Sequence, residues 1–109
     1  MINNINQAWD SPYTADLVSV LVDINNKNTM QKFLRDVMTE KEIIELSARL
    51  QAAKMLLNKD KYTDIVKATN LSSRTVARIS DWIANGAGGY QLALSTNKNH
   101  THISPAGAD

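Results

Sequence analysis

Between residues 61 and 79 the chain reads KYTDIVKATNLSSRTVARI, two stretches of helical periodicity separated by residues that interrupt a helix. Asn70 falls where the first helix has to stop in a left-handed residue, and among non-glycine residues Asn tolerates that conformation best. Leu71 points back inward. Ser72 follows as an N-cap candidate, its hydroxyl able to accept from backbone N–H groups that a helix start leaves without partners. On a helical wheel Val76, Ile79 and Ile83 share one face, with Arg74, Ala77 and Arg78 opposite. Together with Ile65 and Leu71, these apolar positions suit the packing of a helix-turn-helix spanning about 61–85. A helix presenting Arg74 and Arg78 fits a DNA major groove. The plainer alternative is that such helix pairs occur in most all-α domains, where basic residues form a solvated face.

Charge patterning bears on that choice. The net charge of +1 conceals −3 over residues 1–48, +5 over residues 49–78 and −1 over the rest. Arg49, Lys54, Lys59, Lys61, Lys67, Arg74 and Arg78 face only Asp60 and Asp64 in the basic segment, which covers the motif and its approach.

At 109 residues the chain has the length of one domain, read as a helical domain over 1–94 followed by a polar tail, 95–109, expected to be disordered. Absent cysteine removes disulfides, thiolate metal sites and thiol nucleophiles together. No run approaches the roughly 20 apolar residues of a membrane span, and MINNINQAWD lacks the pattern of a signal peptide. The expectation is a cytoplasmic protein with no membrane partner.

Upstream, Ser11-Pro12 signals a helix start, and Leu17, Leu21 and Ile24 follow at helical spacing. LVSVLVDI is rich in β-branched residues, but a lone strand would leave its backbone groups unpaired, so helix is preferred, buried on more than one side. Asn25-Asn26 is expected to end it. Asn28 or Thr29 then caps a short helix to about Asp36 that buries Met30, Phe33, Leu34 and Val37. Thr39 and Glu42 form a capping box opening the longest helix, to about Leu57. Along it Ile43, Leu46, Leu50, Ala53 and Leu57 recur at spacings of 3, 4, 3 and 4, a seam for a long partner helix. The chain offers no second helix of that kind, which points to the same region of another subunit. Asn85-Gly86 stops the second motif helix, and Gly88-Gly89 precedes a short amphipathic piece from Tyr90 to about Leu94.

Catalytic machinery is not visible. His100 and His102 form an H-x-H pair, read as solvated because no third ligand accompanies it. Glu40, Glu42 and Glu45 are explained by the capping box and the helix dipole. There is no nucleotide-binding loop and no G-x-S-x-G elbow, so neither an enzyme nor a cofactor is expected. Trp9 and Trp82 could stack on a ligand, but core positions are expected.

Residues 39–94 resemble the Trp repressor superfamily, most closely its YerC/YecD-type branch. The resemblance rests on LSARLQAAKMLLNKDKYTDI, TNLSSRTVARIS and ANGAGGYQLAL, the last with the small-residue-plus-Tyr ending of that branch. It implies an all-α fold of about six helices, an intertwined homodimer and operator binding to double-stranded DNA. Carried over by position, DNA contacts fall on Tyr62, Thr63, Ser73, Arg74, Thr75 and Ala77. Physically, Ser72 and Ser73 suit a phosphate at the helix N-terminus, and Arg74 suits guanine. Thr75 suits a thymine methyl or base edge, while Lys61 and Lys67 suit phosphates. Arg49 and Arg78 occupy the positions of the arginines that flank a tryptophan corepressor in this superfamily. Ile79, however, replaces the small glycine found after the second arginine and should fill the space for an indole, so no tryptophan response is expected. Arg49 and Arg78 then suit backbone contacts or salt bridges, with Arg78 free to approach DNA. The residues favour a dimeric DNA-binding regulator, a repressor by occupancy. A helical dimerisation module that joins proteins without touching DNA is the alternative, and the charge split weighs against it.

Overall fold

Side-chain oxygens set most of the helix starts. The structure, a computed structural model, describes the backbone of residues 8–101 and the side chains of residues 8–95. Its helices are α1 (Pro12–Asp23), α2 (Lys27–Val37), α3 (Glu40–Leu57), α4 (Tyr62–Thr69), α5 (Ser73–Asn85) and α6 (Gly89–Thr101), and residues 8–10 are also helical. No strand occurs among the described residues, so the fold is all-α, and LVSVLVDI is helical up to Asp23. Ser11 Oγ accepts from the Tyr13 N–H at 3.1 Å, with Pro12 at the first helical position. At Thr39 the capping box closes in both directions: Glu42 N–H donates to Thr39 Oγ1 at 3.1 Å, and Thr39 N–H to Glu42 Oε1 at 2.9 Å.

The start of α2 differs from expectation. Asn26 is the cap, its Oδ1 accepting from Thr29 N–H at 2.9 Å, and α1 has already ended at Asp23. Asn25, Asn26, Asn28 and Thr29 are all competent caps, so local chemistry alone does not choose between them.

The chain divides into two compact units, residues 1–43 and 44–109. In the first, α1 and α2 contain no buried residue. Met30, Phe33 and Leu34 are half-buried, whereas Val37, Leu17, Val18, Val20 and Val22 are exposed. The burial expected of α1 and of Val37 is therefore not met within one chain, because two short helices cannot cover an apolar surface that runs all round α1.

The second unit has a core of Ala52, Ala53, Ile65, Val76 and Ile79, all fully buried. Met55, Leu56, Val66, Leu71, Ile83, Tyr90 and Leu94 pack against it. Of the proposed α3 seam, Ala53 alone is buried, while Leu46, Leu50 and Leu57 remain exposed. Small side chains from α3 and branched ones from α4 and α5 thus share a single cluster.

Beyond Leu57, α3 closes with paired backbone bonds, Lys59 N–H to Leu56 O at 3.0 Å and Asp60 N–H to Met55 O at 3.0 Å. That is a Schellman ending, and its left-handed residue is Lys59, at φ 68°. The break between α5 and α6 uses glycine twice. At Gly86, φ is −90°, but a Cβ would lie 2.5 Å from the Trp82 carbonyl oxygen, so close approach excludes any side chain. Gly88 has φ +86°, a conformation natural to glycine. From there α6 runs to Thr101, past the expected end near Leu94, because a nucleated helix gains a hydrogen bond with each added residue. Residues 102–109 lie outside the described residues.

Candidate nucleic-acid interface

α4 and α5 meet through the turn 70–72, whose geometry follows from three short polar side chains. Asn70 is left-handed, at φ 63° and ψ 16°, and its N–H closes α4 on Val66 O at 2.8 Å. Ser72 Oγ accepts from Thr75 N–H at 3.1 Å, capping α5. Thr69 is the part that sequence reasoning missed. Its hydroxyl donates to Ile65 O at 2.7 Å and accepts from Leu71 N–H at 3.3 Å, bridging the end of α4 to the turn. The signal was present, since a threonine in the last turn of a helix often bonds back to the carbonyl four residues earlier.

With the turn fixed, α5 is oriented by Val76 and Ile79, which anchor it in the core. Its opposite face carries Arg74, Ala77 and Arg78, all exposed as expected. The two guanidinium-bearing residues are one helical turn apart, so their attachment points differ by about 6 Å along the axis. At the start of α4, Lys61, Tyr62 and Thr63 are exposed, as is Lys67 one turn further on. Ser73 is exposed too. Ser72 differs from expectation: its oxygen already serves Thr75 N–H, and its O–H donates to Thr75 Oγ1 at 3.1 Å, so Ser73 is the hydroxyl left for an external anion. Thr75 is half-buried and turned toward that cap.

Electrostatically α4 and the first two turns of α5 carry Lys61, Lys67, Arg74 and Arg78 against Asp64, and the sign changes at the far end of α5. Lys54, Lys59, Lys61, Lys67, Arg74 and Arg78 are exposed, and none forms an ion pair among the described residues. Asp81 follows on the outward side, accepting from Asn85 Nδ2 at 2.9 Å. The excess of positive charge therefore belongs to α4 and the first two turns of α5.

Arg49 is the one described arginine held in an ion pair. It is half-buried on α3 and donates from Nη2 to Glu45 Oε2 at 2.7 Å, an i,i+4 pair. Ile79 is fully buried, filling the space between α5 and the alanines of α3. Trp9 and Trp82 are not core residues in the single chain, at 62 % and 44 % exposure. Trp82 falls on the flank of α5 beside Arg78, away from the Val76–Ile79 line. Among the described residues no group of three or more His, Asp or Glu side chains could hold a metal ion, and the His100/His102 pair lies outside the described side chains. No described helix is long and apolar enough to cross a membrane.

Comparison with known proteins places this geometry in context. Residues 13–98 match the family model described as Trp repressor protein. A curated relative, the uncharacterized protein YerC of Bacillus subtilis strain 168, is 28% identical over 82 residues, covering 75% of this chain and 79% of YerC. The crystal structure of a TrpR-like protein from Eubacterium eligens ATCC 27750 superposes with a TM-score of 0.79 at 27% identity, over 84% of this chain and 93% of that one.

Proposed function

The chain belongs to the Trp repressor protein family, a family of helical regulators rather than enzymes, and on that premise we propose that it binds operator DNA as a homodimer. Occupancy of the operator then excludes polymerase, which makes it a repressor. The observation that carries this reading is that Lys54, Lys59, Lys61, Lys67, Arg74 and Arg78, on the motif and the segment leading to it, are exposed and form no ion pair among the described residues. Exposed cations that no carboxylate pairs hold their counter-anions loosely and attract a polyphosphate; each phosphate neutralised releases counterions.

The roles divide by geometry. Arg74, on the first turn of α5, reads guanine through two parallel N–H donors, and Ala77 leaves room beside it for a thymine methyl. Ser73 with the free N–H groups of the α5 start takes a phosphate, as do Lys61 and Lys67. Tyr62, Thr63 and Thr75 complete the contact, and Arg78 approaches the backbone. Homodimerisation is supported by the apolar surface that one chain leaves bare: Leu17, Val18, Val20 and Val22 on α1, and Ile44, Leu46, Leu50 and Leu57 on α3. A two-fold pair would set the two α5 helices about one DNA turn apart, roughly 34 Å.

Tryptophan is not the effector in this reading. Ile79 takes the volume an indole would need, and Glu45 neutralises Arg49.

Titration of the purified protein with duplex DNA at two salt concentrations tests the proposal. Binding that weakens steeply with salt, and is unchanged by added tryptophan, is the expected result. No binding at low ionic strength would replace it with the dimerisation module that joins proteins.

A further inference from the structure

Among the described residues two non-glycine residues have positive φ, Asn70 and Lys59, and only one of them belongs there by chemistry. Asn is the residue type that accepts the left-handed region with least penalty, and it closes α4 as its type dictates. Lysine has no such excuse. At φ 68° its Cβ crowds the carbonyl that follows, in a Schellman ending where glycine is the usual occupant. Outliers of this kind cluster at functional sites, so one that residue type does not explain is a ground for a functional hypothesis.

What the side chain contributes inside the protein is little. Lys59 is exposed, and its ammonium makes no hydrogen bond or ion pair among the described residues. Its neighbour Asp60 is engaged elsewhere, accepting from Asn58 Nδ2 at 3.0 Å. The α3 C-terminus attracts a cation, but Lys54 in the last turn already supplies one. What remains is position. Lys59 lies two residues before Lys61, which opens α4, and three before Tyr62. Three residues span at most about 11 Å of chain, so the Lys59 backbone lies within that distance of the α4 start, and its exposed four-carbon stem is free to reach the same phosphate backbone.

We infer that Lys59 is a phosphate-binding residue of the DNA interface, kept in glycine's conformation because a glycine there would remove a charge from that surface. The inference rests on the DNA-binding reading above and deepens it.

Lys59→Gly and Lys59→Asn separate the side chain from the turn, since both accept the left-handed conformation. Each is expected to melt no lower than the parent, yet bind duplex DNA several-fold more weakly at moderate salt. The slope of log K against log[salt] should become shallower by about 0.9 for each phosphate that is no longer neutralised, so by about twice that in a dimer. Lys59→Arg should restore the slope. Parental slopes in Lys59→Gly and Lys59→Asn, with the parent still strongly salt-dependent, would overturn the inference and leave the DNA-binding reading intact. A parent whose binding ignores salt would overturn both.

Discussion

Individual residues carry this protein's discrimination and its local conformational demands separately. Arg74 is exposed on the first turn of α5, and Lys67 is exposed on α4. In the proposed complex one would offer a planar fork to a base edge and the other a point charge to the backbone. Arg74→Ala is therefore expected to lose preference at one operator position, by about 1–3 kcal/mol against the competing bases. Lys67→Ala should weaken all sequences alike, and selection from a random duplex pool measures both effects. Variants that each kept the parental ranking and affinity would show that the reading face is wrongly assigned. At this scale the sequence is legible where residue type and required conformation agree, as at Asn70. It is opaque at Lys59, whose left-handed backbone no property of lysine announces, and at Gly86, whose need for glycine comes from the Trp82 carbonyl 2.5 Å from the missing Cβ. The first is a local preference; the other two arise from how a finished helix ends.

Elements are most legible where their boundaries depend on a bond spanning three residues. Thr39–Glu42 and Ser72–Thr75 are of this kind, and both bonds form as their spacing dictates. The cap at Ser72 also acts at a distance, because the first turn of α5 carries Ser73 and Arg74. Ser72→Ala should cost about 1 kcal/mol, lowering the melting temperature by about 4–8 °C for a domain of this size. Ser72→Asn, which also caps, should melt close to the parent, and equal losses in both variants would mean that the hydroxyl contributes through something other than the cap. The start of α2 shows the limit of local reasoning, since four cap-competent residues within five positions make the boundary degenerate until the chain direction is known. The length of α6 escapes sequence reasoning for a related cause. Ser95, Thr96 and Asn97 are weak helix formers, but propensity in one short segment yields to a helix already nucleated by Tyr90 and Leu94 against the core.

For the whole molecule, sequence spacing locates the apolar side chains and leaves open what covers them. The 3-4 seam of α3 and the apolar run of α1 are both visible, yet only Ala53 of that seam is fully buried in one chain. In the proposed homodimer a second subunit covers the remainder, so sedimentation should return twice the 12.1 kDa chain mass, and a mass near one chain would exclude the dimer. Melting temperature should also rise with protein concentration, as it does when association and folding are linked. The absence of any buried residue in α1 or α2 has a consequence for control. If those helices acquire their interior only on pairing, the competent species scales with the square of free chain at low abundance. Gene silencing would then switch over a narrow range of synthesis rates, a threshold set by dosage alone and needing no metabolite to trip it.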